Sequence, residues 1–183
     1  PFLTALRRFE REVAASPTPD RIKQLRSNGL KAERELRDRA IFALGMSEVL
    51  GRPVLIAPEE EEDFDFVATW IDQDSIQHLC RIQLKEVVPQ HLNATASLQQ
   101  VISGLSRYAD ASDLTVAIKF NRLGRFDPAE VRIPDGLVLG ALWVYGALTE
   151  DQAKFALWGD FARGGGEGAV VGRCFDYPTD SES

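Results

Sequence analysis

Cysteine, histidine and long hydrophobic runs are all scarce in this sequence. Its 183 residues include two cysteines and two histidines, and neither pair has the spacing of a metal site. The longest apolar stretch, residues 137–148, is shorter than the roughly 18 residues that a membrane helix needs. The first residues also lack the apolar core and cleavage site of a secretory signal. We therefore expect two buried free thiols, no membrane partner and a cytoplasmic location.

Positive charge is scarce outside the N-terminal region. The net charge is −7, yet residues 1–40 carry ten Lys and Arg against six Asp and Glu. Nucleic-acid affinity comes largely from neutralised phosphates, so an acidic chain is expected to contact nucleic acid only locally. The basic N-terminal helices are the expected place for that contact. The alternative is that their arginines solvate ordinary helix surfaces.

Helical spacing of apolar residues dominates the first fifty positions. Apolar residues recur every three or four positions from Phe2 to Val13, and a second helical stretch follows Asp20. A third and longer helix is predicted over residues 31–50. Gly51 follows it at the position of a C-cap.

Strand patterns and two short helices fill the rest of the chain. The predicted strands cover residues 54–56, 63–70, 76–88, 114–120, 137–145 and 168–177. Capping boxes predict a helix that begins after Ser97 and another that begins after Thr149 and ends at Gly159. A helix that connects two strands favours a parallel pair, which is expected between the third and fourth strands.

These patterns predict an α/β (α+β) protein with a central mixed sheet flanked by helices. We expect residues 1–30 to form an N-terminal helical appendage and residues 31–177 to form a single domain. Residues 178–183 are expected to be a disordered tail.

A predicted hairpin carries the residues with the clearest chemical potential. Side chains alternate between the two faces of a strand, so Phe64 and Phe66 are expected on the core face and Asp65 on the other. By the same alternation, Gln83 and Lys85 share a face of the next strand. A carboxylate and an amide oxygen suit a hard divalent cation, and a lysine can orient water and offset phosphate charge.

The segments DFV at residues 65–67 and IQLK at residues 82–85 resemble the PD-(D/E)XK nuclease superfamily, in its Gln-x-Lys variant. That pattern has an acid at the start of one hairpin strand and D/E-x-K on the next, followed by a helix and a strand. The resemblance covers roughly residues 31–121. It implies a restriction-endonuclease-like core and a Mg²⁺- or Mn²⁺-dependent hydrolase that cuts DNA phosphodiester bonds.

The resemblance also implies roles for individual residues. Asp65 would be the main metal ligand, Gln83 would lend a second oxygen, and Lys85 would position the attacking water. A glutamate on the preceding helix often completes such sites, and Glu48 matches it best. DNA phosphates would be met by three arginines, namely Arg34, Arg37 and Arg81.

Two other interpretations stay open at this point. Because position 83 holds an amide in place of a carboxylate, the chain could be a catalytically inactive member of the same fold. Such a protein would serve as a protein-interaction or assembly module, with a homodimer as one expected form. In the third interpretation the chain is an unrelated α+β domain in which Asp65, Gln83 and Lys85 never converge.

Overall fold

One seven-stranded mixed sheet organises the chain, as seen in a computed structural model of the protein. The structure describes residues 2–17, 30–57, 63–108, 111–122, 124–163 and 170–178. The predicted helical stretch after Asp20 and the tail beyond residue 178 lie outside the described residues. No helix in the described part of the chain is both long and apolar enough to cross a membrane.

The described helices are α1 (Phe2–Ala15), α2 (Lys31–Leu50) and α3 (Leu98–Ser103). The predicted end of α2 is confirmed: Gly51 is left-handed with φ 64°, and its N–H donates to the Ser47 carbonyl. The predicted capping box of α3 is also confirmed. The Gln100 N–H donates to Ser97 Oγ over 3.2 Å, and the Ser97 N–H donates to Gln100 Oε1 over 3.0 Å. These helix ends were readable because a cap depends on neighbouring residues alone.

The strands lie in the sheet in chain order: β1 (Leu55–Ala57), β2 (Phe66–Ile71), β3 (Gln77–Val87), β4 (Ala111–Phe120), β5 (Leu139–Ala147), β6 (Lys154–Gly159) and β7 (Val171–Asp176). The pairs β3–β4 and β4–β5 are parallel, and the other neighbours are antiparallel. The connection from β3 to β4 runs through α3 and a 3₁₀ helix, Gly104–Tyr108. The predicted parallel pair is therefore confirmed, and the mixed α/β class with it.

The helix predicted between Thr149 and Gly159 is wrong, because this segment forms the strand β6. Gln152 has a φ of 54°, and Thr149 Oγ1 accepts from the backbone of Ala153, so the supposed capping box closes a turn. The strand itself is apolar and buried on both faces, as Phe155 and its neighbours show. Periodicity cannot separate such a run from a short buried helix.

The core has two layers, one on each face of the sheet. Phe42 of α2 packs on the first face with Phe66, Tyr145 and Phe155. Helix α2 approaches β7 closely at Gly45, where an added Cβ would lie 2.8 Å from the Phe175 ring. The second face is covered by α3 and the 3₁₀ helix, with a core cluster of Phe64, Val87, Ile102, Leu105, Leu114, Val116, Ile118, Leu142, Val144 and Phe161.

Polar contacts join α1 to α2 and to the end of the sheet. Arg7 is buried, and its guanidinium donates to the Asp151 carbonyl. Glu10 forms an ion pair with Arg37 of α2 and accepts a hydrogen bond from Tyr177 Oη over 3.5 Å. Helix α1 thus packs against the sheet domain, and the division at residue 30 stays a prediction.

Candidate functional site

Asp65 stands where the chain enters the sheet. The regular pairing of β2 with β3 ends at Phe66 opposite Ile82, whereas β3 continues to Val87. The Asp65 N–H donates to the Ile82 carbonyl over 2.8 Å, and its side chain turns back onto β3. The expected alternation fails here, because Phe64 packs in the second core layer and Phe66 in the first. The bend at Asp65 is what carries the chain from one face to the other.

The Asp65 carboxylate is held by β3. Its Oδ2 accepts the Leu84 N–H over 2.6 Å and also accepts a hydrogen bond from Gln83 Nε2. Both hydrogen bonds that the described residues donate to this carboxylate therefore end on one oxygen. The Gln83 amide is buried, and its Oε1 accepts a hydrogen bond from Tyr108 Oη over 3.1 Å.

Lys85 lies beside this arrangement, two residues further along β3. Its Nζ stands 5.9 Å from the centre of the Tyr108 ring, a cation–π distance. Within the described residues, Lys85 forms no ion pair with a carboxylate. The structure thus brings together Asp65, Gln83 and Lys85, the residues that the hairpin pattern predicted to share a site.

An open pocket of about 150 Å³ lies between the N-terminal half of α2 and the end of β3. Asp65 and Lys85 both line it, and Gln83 does not. With the Gln83 oxygen bonded to Tyr108, a ligand role for Gln83 needs its amide to rotate, and that role stays a prediction. The charged and polar residues around the pocket include Arg34, Asp38, Asp65, Lys85, Glu86 and Tyr145.

Three further acids line this pocket, and each is already bonded to a neighbour. Glu35 Oε1 pairs with Lys31 Nζ over 3.4 Å. Asp38 Oδ1 accepts from Lys119 Nζ over 2.6 Å, and Glu86 Oε1 accepts from Asn121 Nδ2 over 2.7 Å. Lys119 is only 6% exposed; this burial lowers its pKa, and the Asp38 charge opposes that shift. Burial likewise raises the pKa of the Tyr145 hydroxyl, which lies 3.4 Å from the Asp38 carbonyl.

The acids that α2 brings to the pocket differ from the expected one. Glu48 is exposed near the far end of α2, about 15 Å along the helix axis from Asp38. The structure does not bring Glu48 to the pocket, where α2 contributes Glu35 and Asp38. A signal for Asp38 was present in the sequence, since Lys119 interrupts an apolar strand and a buried lysine requires an acidic partner. Tyr108 carried no comparable signal.

The three predicted phosphate-binding arginines have different surroundings. Arg34 lines the pocket. Arg81 is exposed and forms an ion pair with Asp113 over 3.1 Å. Arg37 is 7% exposed and faces inward, toward Glu10 and the Gln152 amide oxygen. A phosphate cannot reach Arg37 in this arrangement, because tertiary packing gives its guanidinium internal partners.

The pocket suits a cation that needs few protein ligands. Within the described residues, no group of three Asp, Glu, His or Cys side chains is placed to hold a metal ion. Mg²⁺ usually keeps several waters and takes one or two carboxylates together with substrate phosphates. Asp65 fits this requirement, since the hydrogen bonds that it accepts from described residues are confined to one oxygen.

Comparison with known proteins finds no match. The chain matches no protein-family model, no curated protein and no solved structure. The pocket combines a fixed carboxylate, a lysine without a carboxylate partner among the described residues, and two arginines, Arg34 and Arg39.

Proposed function

We propose that this protein is a Mg²⁺- or Mn²⁺-dependent nuclease that hydrolyses DNA phosphodiester bonds at the α2–β3 pocket. One observation carries the proposal: Asp65 and Lys85 line the same pocket, and β3 holds the Asp65 carboxylate through two hydrogen bonds. A fixed carboxylate can hold a divalent cation, and a lysine in the same pocket can offset the charge of a phosphate.

The order of elements supports the same proposal. Helix α2 comes first, the acid Asp65 precedes β2, and Gln83 and Lys85 lie on β3. A helix and a parallel strand then follow. The restriction-endonuclease-like resemblance implies this succession of an acid, a Gln-x-Lys strand, a helix and a strand. The short motif by itself could occur by chance. Its agreement with the order of the elements therefore adds support to the resemblance.

Each pocket residue has a distinct proposed role. Asp65 would hold the cation through its carboxylate, and Asp38 or Glu86 could contribute through bridging water. A bound Mg²⁺ would supply Lewis acidity and charge neutralisation at the scissile phosphate. Lys85 would orient the attacking water and offset developing negative charge on the phosphate oxygens. Arg34 would bind the phosphate backbone at the rim of the pocket.

A second candidate is a non-catalytic assembly module of the same fold. Two features favour it: the amide at position 83, and an exposed apolar face formed by the three strands β1, β2 and β3. That face presents Leu55, Ile71 and Leu79, each more than half exposed. Such side chains suit a protein partner, including a second copy of the chain. Light scattering on the purified protein would reveal a homodimer.

A cleavage assay separates the two candidates. Supercoiled plasmid and single-stranded DNA are incubated with wild type in Mg²⁺, in Mn²⁺ and in EDTA. We expect cleavage with metal and none with EDTA. Asp65→Asn and Lys85→Ala should each lower the rate about 100-fold or more. Asp65→Asn keeps the shape of the side chain and an acceptor oxygen, so the fold should be retained.

The matched control is Lys154→Ala, which removes an exposed lysine from β6, away from the pocket. It should cleave at the wild-type rate. If folded wild-type protein cuts neither substrate with either metal, the nuclease proposal is wrong and the assembly module is preferred. Cutting that survives both pocket substitutions would place the activity at another site or in a contaminant.

A further inference from the structure

The 3₁₀ helix between β3 and β4 places one tyrosine against two of the proposed functional side chains. Tyr108 Oη donates to Gln83 Oε1 over 3.1 Å, and the Tyr108 ring lies 5.9 Å from Lys85 Nζ. The ring is half-buried in the second core layer. Tyr108 lines no part of the pocket itself, so any effect on the chemistry must pass through its neighbours.

The bonding rules determine which way the Gln83 amide faces. A carboxylate can only accept hydrogen bonds, so the amide must turn its NH₂ group toward Asp65. Its oxygen then points the other way, toward Tyr108, whose hydroxyl can donate. The resulting chain runs from Tyr108 Oη through the Gln83 amide to Asp65 Oδ2. Gln83 is 7% exposed, and a buried amide oxygen without a donor would be costly.

This chain has a consequence for the pocket. Because Gln83 and the Leu84 N–H both bind Oδ2, the orientation of the whole Asp65 carboxylate depends on them. We propose that Tyr108 is a positioning residue, which orients Asp65 through Gln83 and holds the Lys85 ammonium beside it. This inference rests on the proposed function, since it assigns Asp65 the role of cation ligand. Gln83 then serves as the link and not as a ligand.

Metal affinity tests the link in the full chain. Mn²⁺ binding is measured by calorimetry for wild type, Tyr108→Phe and Gln83→Leu. Tyr108→Phe keeps the ring and removes only the hydroxyl, and we expect about tenfold weaker binding, typical of residues that orient a metal ligand. Gln83→Leu should weaken binding at least as much. The double variant should be no weaker than Gln83→Leu alone, because both substitutions break the same chain.

Tyr177→Phe is the matched control, since it also removes a buried tyrosine hydroxyl, but one bonded to Glu10. Its Mn²⁺ affinity should equal that of wild type. Equal affinity in Tyr108→Phe and wild type would overturn the positioning role. So would additive losses in the double variant, which would show that Tyr108 and Gln83 act separately.

A metal-free readout separates this inference from the nuclease proposal. The carboxyl ¹³C signal of Asp65 and the side-chain amide signal of Gln83 are recorded by NMR without divalent cations. Both should shift in Tyr108→Phe and stay in place in Tyr177→Phe. If wild type binds no Mn²⁺, the proposed function fails, and these two signals alone decide whether Tyr108 orients Asp65. Unchanged signals would refute the orientation by Tyr108.

Discussion

Helix α2 borders two polar clusters that differ in how their charged side chains are partnered. The interior cluster, Arg7, Glu10, Arg37 and Tyr177, lies between α1, α2 and the end of the sheet. The pocket cluster is Asp65 and Lys85, which line the pocket, together with Gln83 and Tyr108, which contact them. In the interior cluster, Arg37 meets the Glu10 carboxylate and lies 5.7 Å from the centre of the Tyr177 ring. In the pocket cluster, Lys85 faces an aromatic ring and an open pocket.

The difference shows how burial divides charges that have partners inside the protein from charges that a ligand can reach. A buried charge needs a partner within the protein, because desolvation is costly and water cannot compensate it. Arg37 meets that need with Glu10 and Asp38, and its burial keeps it out of reach of a ligand. Lys85 is half-buried and keeps its charge available to the pocket. Arg34 and Arg37 are only three residues apart on α2, yet Arg34 lines the pocket and Arg37 is buried against Glu10.

Breaking the interior cluster should have the largest effect on stability. Arg37→Ala leaves the buried Glu10 with Arg7 as its one remaining counter-ion among the described residues, and it also removes a contact of Asp38. We expect a loss of about 3–5 kcal/mol in the free energy of unfolding, measured by urea denaturation. The matched control Arg34→Ala, on the same helix, should change stability by less than about 0.5 kcal/mol. Equal losses in both variants would show that burial does not separate the two arginines.

The buried lysine between the clusters should give a pH-dependent effect. The pKa of Lys119 in the folded protein is lowered by burial from an ordinary value of 10.5. The unfolded chain therefore holds this proton to higher pH than the folded chain. Stability contributed by this group should rise with pH above the folded pKa, up to about pH 10.5.

Urea denaturation between pH 8 and 10.5 would test this for wild type and Lys119→Met. The wild type should gain stability relative to the variant as the pH rises. A parallel course of the two curves would mean that the folded and unfolded pKa values are the same. Methionine is a suitable replacement because it keeps the length of the buried side chain without its charge.

The smallest effect is expected at the exposed ion pair between β3 and β4. Arg81 pairs with Asp113 over 3.1 Å, and both side chains are more than half exposed. Arg81→Ala should therefore change the free energy of unfolding by about 0.5 kcal/mol or less. If Arg81 meets DNA phosphates, the same variant should weaken DNA binding at low salt and reduce its salt dependence. A large loss of stability would place Arg81 with the interior cluster.

Much of the site could be predicted from residues close together in the sequence, because the pattern of apolar residues marks the strands and a short connection pairs β2 with β3. The six predicted strands lie within three residues of those observed, and the hairpin brings Asp65 to Gln83 as expected. The bend at Asp65 was not readable. A single residue that leaves the strand conformation reverses the face of Phe64, and alternation assumes that no such residue exists.

The sequence by itself determined the end of α2 at Gly51, the capping box at Ser97 and the parallel pair β3–β4, since each depends on local chemistry or on a single connection. Only the tertiary structure decided that residues 154–159 form a strand, because a buried apolar run fits either conformation. It also decided that Asp38, and not Glu48, lies at the pocket. Both outcomes depend on which surfaces pack together in the folded protein. Contacts between residues far apart in the chain produce no periodic pattern in the sequence.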